Sequence, residues 1–224
     1  MVSEKNIAAC SLVLGPILMM ATFLILLRGV NADASDILAF TMSLGENSSN
    51  VGIGMVIVTI CMGIMFSGFS YVRGTMAGGS GAGLANIGFF LIIGLFAAFL
   101  IENSLWAAAA DSAATGMAAA AAAGDPNVAG PAGVSIGATL FVASQGVGTI
   151  GTITGFLGFV LIGLGMIIQK NWNIIVAILL IITGLLGTVG TSIIGYDADA
   201  MFLVWVSMMI TIVVTGVFTY LREE

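Results

Sequence analysis

No histidine occurs anywhere in the 224 residues, and charged residues of every kind make up only 7% of them. The first absence removes the commonest general base and the commonest metal ligand together. Haem held through histidine, a zinc protease centre and a Ser-His-Asp triad are therefore excluded. Five bases stand against eleven acids, for a formal net charge of −6, and the bases form no patch, so nucleic-acid binding has no electrostatic basis. There are two cysteines. Cys10 lies near the start of the first apolar run and Cys61 about 15 Å into the second, at roughly 1.5 Å per residue. In antiparallel segments the thiols sit at different depths and are expected to be free. "IAAC" at 7–10 looks like a lipoprotein cleavage box, but the apolar region of roughly 7–15 residues that should precede it is missing. No phosphate-binding glycine loop and no nucleophile set beside a base are found. The expectation is a chain without catalytic residues, cofactor or metal, not an enzyme.

What is present is apolar: hydrophobic residues make up 59% of the chain, whereas a soluble domain carries roughly 25% charged residues. This composition predicts an all-α fold, a polytopic membrane helix bundle with six transmembrane helices and the lipid bilayer as its surroundings. Five runs, 7–27, 51–72, 84–106, 173–195 and 201–221, are each near the roughly 20 residues that cross hydrocarbon. The sixth lies inside 134–169, too long for one upright span; counting back from Lys170 places its membrane part at 149–168, with 134–148 as an extension or an interfacial turn. Pro16 in the first run reads as a kink.

The few bases set the direction. With the N-terminus inside, Lys5, Arg73, Lys170 and Arg222 are cytoplasmic, while Asp33, Asp36, Glu46, Asp125, Asp197 and Asp199 fall outside. Both termini are then cytoplasmic in a cell membrane, and 107–148 is an extracytoplasmic Ala/Gly-rich insertion. Alanine is a good helix former but only weakly apolar, so 107–123 reads as the third helix continuing out of the membrane, stopped by "GDPN" and "AGP". A helical hairpin returning through 134–148 is the preferred reading, and a flexible low-complexity loop is the alternative. "NSS" at 47–49 matches a glycosylation acceptor, a match to be expected by chance.

Two features fall inside this frame. Arg28 lies about 31 Å along the first helix and Glu102 about 27 Å along the third, both from the inner side. At that common depth they are expected to form an ion pair, with Trp106 one turn above Glu102 at the interface where tryptophan anchors. The rival is that each side chain reaches water alone. Small and weakly polar residues also recur at helical spacing, above all Gln145, Thr149, Thr152 and Gly155. Such a stripe is read first as a face where helix backbones approach closely, and otherwise as a polar path. The thirteen methionines are scattered through apolar runs and read as packing.

The order "LLRGVNADASDILAF", "NSSNVGIG", an Ala-rich centre and "GFLGFVLIGLGMIIQKNWNIIVAILLIITGLLG" resembles the six-helix integral-membrane proteins of bacteria and archaea whose domain has no assigned function. The proline usual in their fourth-to-fifth turn is absent from "QKNWN". The resemblance implies a Gly/Leu-rich fourth span and a Gly-rich fifth joined by a short basic turn, and no activity. Scarce intramembrane charge favours a non-catalytic structural, accessory or sensor component acting through helix contacts, as a homo-oligomer or within a larger membrane complex. The alternative is a small proton- or cation-coupled transporter or channel using Glu102.

Overall fold

A computed structural model describes residues 3–124 and 130–222. The described residues form seven α-helices and no strand: α1 (Glu4–Leu26), α2 (Ile37–Glu46), α3 (Ser48–Gly74), α4 (Ala82–Ala123), α5 (Gly130–Gln169), α6 (Ile174–Ile194) and α7 (Asp199–Leu221). All but α2 are long and apolar enough to cross a membrane. Large apolar side chains such as Leu24, Ile53, Phe90, Ile150, Ile193 and Leu203 stand exposed, a surface that water covers poorly. Helix α1 runs through Pro16 without interruption.

The chain forms two compact units: one of Met1–Met19, Ile60–Ala98 and Thr149–Glu224, the other of Met20–Thr59 and Phe99–Gly148. In the first, glycines let helix backbones meet. Gly88 of α4 and Gly158 of α5 face each other so closely that a methyl group on either would lie 2.6 Å from the other's carbonyl oxygen. Gly184 of α6 likewise sits against the Phe156 carbonyl of α5, and Gly187 against its ring. Between α6 and α7 the hydroxyls of Thr183 and Thr211 share a buried hydrogen bond of 2.7 Å. The Phe156 ring meets Phe159 and Trp205 edge-on. These are the contacts available to helices that gain nothing from burying leucine in lipid: close backbones, aromatic edges and paired hydroxyls.

Helices α4 and α5, whose 99–123 and 130–148 parts belong to the second unit, are far longer than a bilayer requires. Their 42 and 40 residues correspond to about 63 and 60 Å. The 107–148 region is therefore a helical hairpin, with no flexible loop among its described residues; the "GDPN" and "AGP" punctuation falls largely outside them. The two helices interlock where Gly116 and Gly133 meet backbone to backbone, and Ala109, Ala110 and Ala113 are fully buried. Alanine packs here because its lack of bulk permits close approach.

Sequence pattern predicts no element between the first two spans, yet α2 lies there. Its start is capped by Asp36, whose carboxylate accepts from Ala39 N–H at 3.0 Å. Gly45 of α2 rests on Ala113 and Met117, and Phe40 and Leu44 join Val51, Met55, Ala110 and Phe141 in one core. Ten residues are too few to span, so α2 owes its place to this packing. Asn47, the glycosylation-like position, caps the C-terminal end of α2. Its Nδ2 donates to the carbonyls of Gly29 and Ser43 at 3.1 and 2.9 Å, leaving that nitrogen engaged inside the fold.

Candidate functional site

The buried positions of α4 step along one face, with Leu95, Phe99, Glu102, Ala109 and Ala113 spaced by about one or two turns. Glu102 is thus an inward-facing residue, only 4% exposed. Its neighbour Asn103 donates through Nδ2 to Thr59 Oγ1 at 2.9 Å, and Thr59 in turn donates to the Met55 carbonyl at 2.8 Å. That relay ties α4 to α3 beside the carboxyl. Arg28 belongs to the same unit but lies two residues beyond the end of α1, exposed in the turn that leads to α2.

Trp106, expected at a membrane interface, is half-buried and packs against two other rings. Phe40 of α2, Trp106 of α4 and Phe141 of α5 form a closed triangle with centroids 4.7–5.5 Å apart, a geometry favoured by the ring quadrupoles. The indole Nε1 is buried and has no hydrogen-bond partner among the described residues. The docking of α2 is what brings Phe40 to the ring.

The stripe on α5 divides along its length. Gln145 and Thr149 are half-buried, whereas Thr152 is fully buried with its hydroxyl unpartnered among the described residues. Gly155 packs against the Leu95 side chain of α4 so tightly that an added methyl group would collide with it. At Gly155, then, the stripe is a packing face. Both cysteines are free, Cys10 exposed and Cys61 buried. Among the described residues no group of three Cys, Asp or Glu side chains could hold a metal ion.

Two recesses lie in the unit that carries both ends of the chain. A cavity of about 620 Å³ follows the seam of α1 and α3, lined by Glu4, Ser11, Ser67, Ser70, Tyr71 and Thr75 among others. A smaller one, about 260 Å³, is bounded by the α5–α6 turn and the end of α7. Nothing in the sequence pattern announces either recess. For the smaller one the available signal was the shared end of Lys5, Lys170 and Arg222, with Trp172 in the basic turn.

Fold and contacts define the class: an all-α polytopic bundle with six helices able to span a membrane. No family model, curated protein or solved structure matches the chain.

Proposed function

We propose that the protein is a multi-pass cell-membrane component with both termini cytoplasmic and the 107–148 hairpin outside, and that it works without catalysis, as a structural, accessory or sensor subunit, through helix–helix contacts. The observation that carries this reading is the α1–α3 recess. Ser67 and Ser70 are exposed on a span-length helix and Ser11 is half-buried beside them. Small hydroxylated side chains on the outer face of a span are what a neighbouring helix packs against, because they admit its backbone closely. The Ser67 hydroxyl already donates to the Ile64 carbonyl at 2.6 Å. The partner is a transmembrane helix, from a second copy or from another subunit.

A photo-crosslinking residue at position 70, in native membranes, tests this. A discrete product is expected there and not from position 90, where Phe90 is 68% exposed on an apolar face. A product of twice the monomer mass identifies a homo-oligomer, and another mass identifies a subunit. No product from position 70 sinks the reading.

Glu102 supports a second reading, a small proton- or cation-coupled transporter or channel. A carboxyl only 4% exposed on a span-length helix is the kind of group that binds and releases a proton or cation in transport. Loss of a proton- or cation-dependent flux from proteoliposomes in Glu102→Gln, with the fold intact, would establish it over the first.

A further inference from the structure

The smaller recess has the chemistry of a phosphate site. Arg222 terminates α7, and its guanidinium lies over the Trp172 indole, 5.1 Å from the ring centroid. The indole is fixed in turn by donating to Thr75 Oγ1 at 2.9 Å, while Asn171 Nδ2 donates to the Thr75 carbonyl at 2.7 Å. Lys5 brings a second cation to the same place, its Nζ donating to the Arg222 carbonyl at 2.9 Å. Trp172 and Arg222 line the recess and are held by these contacts, with Lys5 tied to Arg222 beside it.

Two buried atoms give the recess its specificity. Arg222 Nη1 and Asn171 Oδ1 are shielded from solvent, and neither has a hydrogen-bond partner among the described residues. Asn171 and Arg222 both line the recess, together with Phe218 and Leu221. A buried guanidinium nitrogen calls for an anionic acceptor, and guanidinium matches a phosphate's oxygens in a planar, two-toothed fashion. The buried amide oxygen calls for the opposite, a hydroxyl or ammonium donor. Phe218 and Leu221 offer an apolar wall, and Ile174 and Ile175, beginning α6 next to the lining residue Asn173, are exposed.

An anion, a donor a short distance from it and an apolar continuation describe one chemical class. We propose that this recess binds the headgroup of a phospholipid, with the phosphate on Arg222 and Lys5 and a hydroxyl or ammonium of the headgroup on Asn171 Oδ1. The proposal depends on the six helices lying in a bilayer but not on the helix-contact role, and it would stand if the crosslinking experiment failed.

The test uses the full chain purified in a neutral detergent, with thermal unfolding as the readout. Titration with phosphatidylglycerol, whose headgroup carries both phosphate and hydroxyl, is expected to raise the midpoint and saturate. Diacylglycerol, lacking the phosphate, should not, and inorganic phosphate should act only at far higher concentration. Arg222→Gln removes a charge-assisted contact and should raise the lipid concentration for half-maximal effect by about tenfold or more. Should that variant fold poorly, Lys5→Gln, changed at the other cation, is expected to weaken the lipid in the same direction. Arg73→Gln is the control: it removes one positive charge from the end of α3, where Arg73 stacks on Phe89 instead, and should leave the titration unchanged. Equal loss in Arg73→Gln would mean attraction to general surface charge and overturn the site. Undiminished binding in Arg222→Gln and Lys5→Gln, or an equal response to diacylglycerol, would overturn it as well. Saturation by inorganic phosphate at the same concentrations would overturn the lipid as the source.

Discussion

Glu102 and Arg28 have unlike surroundings, one carboxyl 4% exposed on the inward face of α4 and one guanidinium exposed in a turn. The proposed pair has to bring the second to the first, and the long apolar stem of arginine gives it that reach. Glu102→Gln and Arg28→Gln are then each destabilising, and the double variant costs less than their sum by about 0.5–3 kcal/mol, the coupling found for residues in contact. Additive effects, measured by unfolding in detergent, would mean that Arg28 reaches water by itself. Asp33, in the same connecting segment, lies outside the spans and is held below its ordinary carboxylate value of 3.8. The Ser35 backbone N–H is the largest cause and the Ser35 side chain the next. Because the folded value is the lower one, this small stabilisation is present above the ordinary value and fades as pH falls through the folded one. A titration that follows the Asp33 carboxyl by NMR should give a midpoint below 3.8; a midpoint at or above it would mean that the Ser35 contact does not persist.

Helix faces carry the next set of consequences. Gly155 lies against Leu95 and Gly187 against the Phe156 ring, whereas Gly94, also within a span, has open space where a side chain would go. Leucine at 155 or 187 should therefore destabilise the fold, by about 1–3 kcal/mol if the backbones can part. Leucine at 94 should leave the unfolding midpoint unchanged. Equal behaviour of all three would remove close packing as the role of these glycines. The contrast also marks where sequence stops being legible. Span length and apolar content are local properties, and the long helices follow from them directly. The continuation of α4 through 107–123 was likewise readable, because an alanine-rich run with no proline and the single glycine Gly116 sustains a helix. Helix α2 was not: its Asp36 cap is visible in sequence, but ten residues that neither span nor stand alone become a helix through contacts with Ala113, Met117 and Phe141. The ring contacts of Trp106 were unreadable for the same reason, since one of its partners, Phe40, belongs to α2. Arg222 and Trp172, fifty positions apart, share no pattern that would announce their stacking.

At the scale of the whole molecule, the proposed direction in the membrane rests on very few charges. Lys5, Arg73, Lys170 and Arg222 are all placed on one side by an even number of spans with the N-terminus inside, while Arg28 alone falls on the other. Two of these bases are seen at the same end, since Lys5 Nζ reaches the carbonyl of Arg222 across the starts and ends of α1 and α7. Basic side chains retained on the cytoplasmic side bias orientation most strongly when they lie within about 15–20 residues of a span, as all four do here. A chain with Cys10 and Cys61 replaced by serine gives a background for testing this. Val2→Cys should resist a membrane-impermeant thiol reagent in intact cells and react after permeabilisation. Ala198→Cys, between α6 and α7, should react in both conditions. The reverse pattern would invert the protein in the membrane and carry the α4–α5 hairpin to the cytoplasmic side. Labelling of both positions in intact cells would be more damaging, because an even number of crossings would then lie between residues 2 and 198, and at least one of the five span-length helices between them would not cross.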